Sequence, residues 1–172
     1  MEPAEINAGT LYLRQLRADG AIDDRPALVE AFADPVIRNF VRNYVVDSVE
    51  AAEEYVRRRA EEWKRDQRCS WAVAEPTTGE LLGEVGLKEL DLAAGTAEVA
   101  VWVHPSARGR GVATTAVGAA VRFGFGALGL SHIDYVHEPD NAASREVARK
   151  SGFTLLGPDG ENVRWRQTAE NG

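Results

Sequence analysis

The stretch HPSARGRGVATTAVGAAVRFGFG begins at His104 and places a glycine-rich, basic turn directly before an apolar helical pattern. Gly109 and Gly111 lack the Cβ atoms that would keep a ligand away from the backbone. The first N–H groups of the following helix have no partner inside the helix, and the positive end of the helix dipole lies beside them. Arg108 and Arg110 add positive charge. These residue types at this spacing predict a site for an anion such as a phosphate.

This turn differs from the two best-known phosphate-binding loops. A Walker A loop is excluded because no Gly-Lys-Ser/Thr follows the glycines. A dinucleotide fingerprint is excluded because Thr114 stands where its last glycine belongs. For this stretch alone, an ordinary glycine-containing turn between a strand and a helix remains the alternative.

The elements around the turn follow an order that is typical of an α+β fold with a mixed sheet. In the first half of the chain, periodicity predicts a strand in TLYLRQLR, then helices in RPALVEAFAD and DSVEAAEEYVRRRAEEWKRD, then strands in CSWAVAE, ELLGEVGLKEL and GTAEVAVWVHP. After the glycine turn it predicts a helix to about Leu128, a strand in HIDYVHE and a helix in NAASREVARKSG. A hairpin of FTLLG and NVRWRQT follows. The three central strands favour antiparallel pairing, whereas the strand–helix–strand unit from Ala97 to Val136 favours one parallel pair. The glycine turn then lies at the carboxyl end of a strand, where such sheets bind ligands.

The composition bounds the class of protein. The chain has 172 residues, of which 44% are hydrophobic and 27% charged, as expected for a single globular domain over residues 1–172. Its formal charge of -7 disfavours a nucleic-acid-binding protein and suits a cationic substrate such as an amine. The first residues, MEPAEINAGT, are too acidic and polar for a signal peptide, and no apolar run is long enough to span a membrane. We therefore expect a soluble, cytoplasmic protein that binds neither nucleic acid nor membrane.

Two stretches resemble the signatures of one enzyme superfamily. RGRGVAT resembles the R/Q-x-x-G-x-G/A pyrophosphate loop of the GNAT superfamily of acetyl-CoA-dependent N-acetyltransferases, with Arg108, Gly111 and Ala113 at its fixed positions. NAASREVARKSGF resembles the second signature, in which an Asn and a Ser three residues later precede a helix that ends in Gly-Phe. Asn141 and Ser144 occupy these two positions.

The resemblance extends from Thr10 onward and is strongest between Glu98 and Phe153. AEVAVWVHPSARGRGVAT and FGALGLSHID look most like the branch that includes ribosomal-protein N-terminal acetyltransferases. The resemblance implies a GNAT-like three-layer fold, in which about four helices flank a mixed, mostly antiparallel sheet of about six to seven strands. We expect Gly152 to end the last helix in a left-handed conformation and Phe153 to pack back on that helix.

The resemblance also implies a reaction. An acetyl group would pass from acetyl-CoA to a primary amine by direct attack within a ternary complex, without a metal ion. The acceptor would be a protein N-terminal α-amine or a small-molecule amine, and the enzyme a monomer or a homodimer. The alternative is a non-catalytic sensor or scaffold domain that binds acyl-CoA. Such a domain would need neither Glu98 nor Ser144, and both are present.

Backbone groups dominate the cofactor site that the resemblance implies. The turn would hold the pyrophosphate, and Asn141 would both cap its helix and bind the pantetheine arm. The N–H of Val103 would stabilise the oxyanion of the tetrahedral intermediate. The predicted cofactor-binding residues are Val101, Val103, Arg108, Gly109, Arg110, Gly111, Val112, Ala113, Thr114, Asn141 and Ser144.

Two side chains are the catalytic candidates. Only a neutral amine attacks a thioester, so the bound ammonium must lose a proton. Glu98 shares one face of its strand with Ala100 and Trp102 and is the expected base, acting directly or through a water. Ser144 is the expected acid that protonates the departing thiolate, and its alternative role is local capping of the helix.

Other residues leave the identity of the base open. Glu98 can instead form a cross-strand ion pair with Lys88. In that case Glu84 on the neighbouring strand, or an ordered water, would take the proton. Tyr135 and His137 are weaker candidates.

The remaining reactive side chains do not indicate a second chemistry. Cys69 is expected to be a buried apolar residue rather than an acyl carrier, which argues against a ping-pong route. Four aromatic residues either line a substrate cleft or belong to the core: Phe40, Tyr44, Trp71 and Trp102. No metal-ligand set is expected from the three histidines, which are His104, His132 and His137.

Overall fold

A single sheet forms the centre of the computed structural model, which describes residues 1–170 except for the side chain of Phe40. Its eight strands are β1 (Ile6–Asn7), β2 (Tyr12–Arg14), β3 (Cys69–Ala74), β4 (Leu81–Asp91), β5 (Thr96–Val103), β6 (His132–His137), β7 (Thr154–Asp159) and β8 (Asn162–Thr168). Their order across the sheet is β1-β2-β3-β4-β5-β6-β8-β7. Among these strands, β5 and β6 are parallel and the other neighbours are antiparallel. The predicted mixed, mostly antiparallel sheet is confirmed.

Helices cover both faces of this sheet. They are α1 (Arg25–Phe32), α2 (Pro35–Phe40), α3 (Val49–Lys64), α4 (Val112–Gly126) and α5 (Ala142–Lys150). One cluster of buried apolar side chains joins α4 and α5 to one face, and a second cluster joins α1, α2 and α3 to the other. The three-layer fold that the family resemblance implies is therefore present. Within residues 1–170, no helix combines the length and the apolar character needed to cross a membrane.

The amino-terminal part differs from the sequence-based prediction. β1 has two residues and pairs with β2, and so short a strand leaves no alternating pattern in the sequence. The predicted strand in TLYLRQLR is reduced to Tyr12–Arg14. The helix predicted in RPALVEAFAD ends at Phe32, and a second short helix follows because the Asp34 side chain accepts a hydrogen bond from the Ile37 N–H at 3.4 Å.

Close packing of α4 against the sheet requires a glycine near the carboxyl end of this helix. A Cβ atom at Gly124 would lie 2.7 Å from Cδ1 of Ile133 and 3.2 Å from methyl groups of Leu87 and Leu130. Glycine at this position therefore lets the helix backbone approach the sheet. The amino-terminal end of α4 is held beside the carboxyl end of β5, as predicted.

The parallel strands β5 and β6 pair over only part of their length. Their matched residues run from Thr96 with His132 to Val99 with Tyr135. β5 continues to Val103 and remains paired with β4 up to that residue. The sheet therefore opens between β5 and β6 beyond Val99.

Backbone groups of β5 face this opening. The N–H of His104 donates to the carbonyl of Leu82 on the β4 side at 2.8 Å. Hydrogen-bonding partners alternate along an antiparallel pair, so the N–H groups of Val101 and Val103 point away from β4. They face the gap between β5 and β6, where no strand within residues 1–170 pairs with them.

A buried polar network attaches α3 to the sheet. The Glu84 carboxylate is 1% exposed and accepts hydrogen bonds from the Tyr55 hydroxyl, from Arg59 Nε at 2.9 Å and from Trp102 Nε1 at 3.0 Å. Burial alone would raise the pKa of Glu84, but the charges of Arg59 and Arg68 and these hydrogen bonds outweigh it and lower that pKa. Glu84 is therefore a buried anion that holds α3 in place.

Replacing Glu84 with Gln should strongly destabilise the fold. The change removes one of the two carboxylates that contact the buried Arg59 guanidinium and leaves only Glu62, and breaking a buried ion pair costs about 3–5 kcal/mol. Denaturant titration measures this loss. Because the pKa of Glu84 is lowered in the folded state, its contribution is present above the ordinary glutamate pKa and is lost as the pH falls through the folded value. The stability of E84Q should therefore depend less on pH in the acid range.

The matched control is Asp19→Asn, which removes a carboxylate from an exposed pair with Arg17 at 2.9 Å. It should change stability by less than about 1 kcal/mol. An E84Q protein as stable as D19N would show that the buried network does not hold α3.

Candidate active site

Two cavities meet where β5 and β6 separate. The larger has a volume of about 890 Å³ and lies on the α3 side, and the smaller, of about 330 Å³, lies beside the glycine turn. Four residues line both: Val101, Trp102, Tyr135 and Ser144. A molecule in one cavity can therefore contact a molecule in the other at this junction.

The glycine turn and the start of α4 form one wall of the smaller cavity. Gly111 precedes α4 with φ of 73°, and within the described part of the chain no side chain caps this helix. Gly109 also has positive φ, and a Cβ atom at either glycine would meet nothing within 4 Å. The free N–H groups at the helix start thus face open space, as an anion site requires.

Almost all of the predicted cofactor-binding residues line the smaller cavity. Arg110 does not line it, and its Nε instead lies 3.5 Å from the carbonyl of Ala107. The predicted residues in the lining are Val101, Val103, Arg108, Gly109, Gly111, Val112, Ala113, Thr114, Asn141 and Ser144.

Arg108 connects the glycine turn to α2. Its Nη2 donates to Oδ2 of Asp34 at 2.6 Å. This hydrogen bond is the main cause that lowers the pKa of Asp34, which also caps α2. Arg108 therefore has a structural partner in addition to its place in the cavity lining.

Asn141 and Ser144 begin α5 beside the junction. Oδ1 of Asn141 accepts a hydrogen bond from the Ser144 N–H at 3.0 Å, so Asn141 is the predicted N-cap. Within the described residues, the Ser144 hydroxyl makes no hydrogen bond to the backbone, which leaves it available at the junction. It lies beside the Tyr135 hydroxyl. Burial raises the pKa of Tyr135, and the adjacent Ser144 side chain acts in the opposite direction.

Gly152 and Phe153 have the structural roles that were predicted. Gly152 follows α5 with φ of 86°, and Phe153 is buried in the cluster that holds α4 and α5. The Phe153 N–H donates to the carbonyl of Ala148 at 3.1 Å and so closes the last turn.

Glu98 lines the larger cavity and forms the cross-strand pair that was its alternative role. Its Oε1 lies 3.5 Å from Lys88 Nζ, and the two side chains are 19% and 39% exposed. The carboxylate therefore remains reachable from the cavity. Glu84, although it also lines this cavity, has both oxygens occupied and a lowered pKa, so it is a poor proton acceptor.

Two other residues considered for catalysis, His137 and Cys69, have structural roles instead. The His137 ring is buried, with Nε2 accepting from Trp165 Nε1 at 2.9 Å and Nδ1 within 2.8 Å of the Glu138 carbonyl. Burial raises the pKa of Cys69 to about 12, which makes this thiol unreactive. Within residues 1–170, no cluster of three or more His, Cys, Asp or Glu side chains could hold a metal ion.

The aromatic candidates divide between the cleft and the core. Trp102 and Tyr44 line the larger cavity, whereas Trp71 is fully buried and donates through Nε1 to the Ala4 carbonyl at 2.7 Å. The side chain of Phe40 lies outside the described residues.

Sequence reasoning missed Arg68, which also lines the larger cavity. It precedes a strand in the sequence, and nothing local indicates that its guanidinium folds over the sheet.

Comparisons with known proteins agree with this geometry. The model of the acetyltransferase (GNAT) domain matches residues 10–154. An uncharacterized N-acetyltransferase of Bacillus subtilis, YoaA, is 28% identical over 152 residues, which cover 88% of this chain and 84% of that protein.

Solved structures show the same fold. A GNAT-family acetyltransferase from Bacillus anthracis superposes with a TM-score of 0.80 at 20% identity, covering 97% of this chain and 99% of that chain. RimL, a ribosomal L7/L12 alpha-N-protein acetyltransferase in complex with coenzyme A, gives a TM-score of 0.78 at 19% identity, with 96% and 98% covered. The chain belongs to the GNAT family and is an acetyl-CoA-dependent N-acetyltransferase.

Proposed function

We propose that this enzyme transfers the acetyl group of acetyl-CoA to a primary amine by direct attack while both substrates are bound. The observation that carries this proposal is the junction of the two cavities at Val101, Trp102, Tyr135 and Ser144. The smaller cavity suits the cofactor because an anion site lies at one end of it and the junction at the other. Incubation with acetyl-CoA and a panel of amines, with free thiol as the readout, tests the activity.

In this proposal, backbone groups hold the cofactor. The N–H groups from Gly109 to Thr114 bind the pyrophosphate, and Arg108 adds charge at the cavity wall. The pantetheine arm follows the open edge of β5, where Val101 and Val103 offer the groups that β6 does not satisfy. Asn141 lies across the cavity from this edge and can donate to the arm. Arg110 is proposed only to add to the local positive charge.

The acceptor enters from the larger cavity. Six carboxylates and four cationic side chains line this cavity. The excess of negative charge favours a positively charged ammonium. RimL acts on the α-amine of a ribosomal protein. A protein N-terminus and a small-molecule amine are both proposed acceptors for this chain.

Glu98 is the proposed base. It takes a proton from the ammonium, directly or through a water, and the neutral nitrogen then attacks the thioester carbon. The Lys88 ammonium lies beside it, with Nζ 3.5 Å from Oε1 of Glu98.

The N–H of Val103 stabilises the oxyanion of the tetrahedral intermediate, because it points into the gap and has no strand partner. As the C–S bond breaks, the electron pair goes to the sulfur of coenzyme A. Ser144 donates its hydroxyl proton to that thiolate and regains a proton from solvent.

A non-catalytic acyl-CoA sensor would use the smaller cavity alone. The larger cavity, with Glu98 and Ser144 within reach of the junction, has no purpose in a sensor. Acetyl-CoA that binds tightly but releases no thiol with any amine in the panel would favour the sensor.

The first prediction concerns Gly111. In G111A, a methyl group would stand in the space proposed for the pyrophosphate, and acetyl-CoA affinity measured by calorimetric titration should fall at least about tenfold, about 1.4 kcal/mol. Gly129→Ala is the matched control, because Gly129 also has positive φ, 65°, and no atom within 4 Å of a Cβ. Both variants carry the backbone cost of about 1–2 kcal/mol in stability. Equal acetyl-CoA affinities in G111A and G129A would show that the cofactor does not bind at the glycine turn.

The second prediction concerns Ser144. S144A should lower kcat by about two decades with little change in acetyl-CoA affinity, because a general acid acts mainly in the transition state. The control is Ser48→Ala, since the Ser48 hydroxyl caps α3 through the Ala51 N–H at 3.1 Å. S48A should lose about 1 kcal/mol of stability and keep its turnover. If S144A behaves like S48A, Ser144 is a structural residue.

The third prediction concerns Glu98. E98Q keeps the shape of the side chain but cannot accept the proton, so kcat/KM should fall by about two to four decades and the acid limb of the pH–rate profile should disappear. K88M breaks the ion pair but keeps the carboxylate, so kcat/KM should stay within a few fold. Steady-state kinetics from about pH 6 to pH 10 compare the variants. Full activity in E98Q would show that Glu98 is not the base and that solvent takes the proton from the amine.

A further inference from the structure

Arg68 lines the larger cavity, and the absence of a side chain at Gly86 makes room for its guanidinium. Arg68 comes immediately before β3, and its Nε donates to Oγ of Ser70 at 2.8 Å. A Cβ atom at Gly86 would lie 2.8 Å from Nη2 and 2.9 Å from Nε of Arg68. The guanidinium therefore occupies the space that a side chain at position 86 would fill.

This position brings Arg68 to the acceptor side of the site. Gly86 is opposite Ser70 on β3 and opposite Ala100 on β5. Ala100 lines the larger cavity on the same face of β5 as Glu98, the proposed base. Arg68 therefore lies one strand away from the strand that carries the proposed chemistry.

Arg68 differs from its neighbour Arg59 in its partners. Arg59 uses all three of its nitrogen atoms, with Glu84 at 2.9 Å, Glu62 at 2.8 Å and the Tyr55 hydroxyl at 2.8 Å. Within residues 1–170, Nη1 and Nη2 of Arg68 have no hydrogen-bond partner. Burial lowers the pKa of Arg68, and the like charge of Arg59 acts in the same direction, whereas the charge of Glu84 acts against them. Arg68 thus lines the larger cavity with only its Nε engaged, by Ser70.

We propose that the amine acceptor also carries a carboxylate, and that Arg68 binds this carboxylate through Nη1 and Nη2. This inference rests on the proposed function and names its substrate class. An arginine fork matches the geometry of a carboxylate. A carboxylate is favoured over a phosphate because six acidic side chains also line the cavity, and they would repel a dianion more strongly.

The position of Arg68 also limits the separation of the two charged groups. Neighbouring strands are about 4.8 Å apart. The junction lies on the far side of β5 from Gly86, so the carboxylate and the reacting nitrogen are separated by one to two strand spacings, about 5–10 Å. Two sources of such a carboxylate fit this span: an ω-amino acid, and a peptide with an acidic side chain near its N-terminus.

The experiment compares acceptors that differ only in this carboxylate. One arm uses β-alanine and 6-aminohexanoate with their amides, and the other uses the peptides Ser-Asp-Ala and Ser-Asn-Ala with amidated C-termini. Steady-state kinetics with the unmodified enzyme should give a kcat/KM about 10- to 100-fold higher for the acid in at least one arm, mainly through KM. The arm in which this preference is found identifies the source of the carboxylate.

Variants assign the preference to Arg68. R68M should abolish the difference between acid and amide while acetyl-CoA affinity stays unchanged, and R68K, which keeps the charge without the fork, should retain part of it. The matched control is R57M, because Arg57 lies on α3 with a 63% exposed side chain and pairs with Glu54 at the surface. R57M should keep the full preference.

The outcomes separate this inference from the function on which it rests. Equal kcat/KM for acid and amide in both arms overturns the role of Arg68 but leaves acetyl transfer intact. An undiminished preference in a folded R68M protein assigns the carboxylate to another residue and also overturns it. If no amine in either arm releases thiol from acetyl-CoA, the proposed function itself fails, and this inference fails with it.

Discussion

The separation of β5 from β6 is the feature on which the rest of the site depends. A closed ladder would satisfy the backbone of both strands and leave no room for a ligand at the centre of the sheet. Here pairing stops at Val99 and Tyr135, while β5 stays attached to β4. The unsatisfied N–H groups of Val101 and Val103 then need a partner. Both cavities open onto this gap, and α4 and α5 begin at its edges.

The surrounding structure keeps the gap open through buried polar contacts on the α3 side. Glu84 joins Tyr55, Arg59 and Trp102 in one network beneath the larger cavity. A buried ion pair of this kind adds little net stability compared with apolar packing, but losing one partner is costly. Its physical effect is to fix the position of α3 and of the Trp102 ring at the junction. The larger cavity, proposed for the acceptor, thus has a polar wall, whereas backbone groups and apolar side chains surround the smaller cavity, proposed for the cofactor.

Local chemistry explains which parts could be predicted from the sequence. The glycine turn and the Asn141 cap depend on neighbouring residues, so their conformations follow from the sequence over a few positions. The two faces of β5 follow from alternation, and Trp102 and Glu98 indeed lie on the face that lines the larger cavity. β1 and α2 could not be predicted because β1 is held mainly by pairing with β2 and α2 is a single short helix.

The acceptor side depends on contacts between residues that are distant in the sequence. Arg59 meets Glu84 25 positions away, and Arg108 meets Asp34 74 positions away. The position of Arg68 depends on the absence of a side chain at Gly86, which periodicity cannot reveal. Strand position alone makes Glu84 an alternative base. Its actual role follows from the helix that packs above it, and no sequence pattern encodes that contact.

The central claim is that the two substrates react with each other at the junction rather than through an acetylated enzyme. Initial rates measured while both acetyl-CoA and the amine are varied test it most directly. Direct attack predicts double-reciprocal lines that intersect, and an enzyme whose mass is unchanged after incubation with acetyl-CoA alone. Parallel lines, together with an enzyme heavier by one acetyl group, would contradict it.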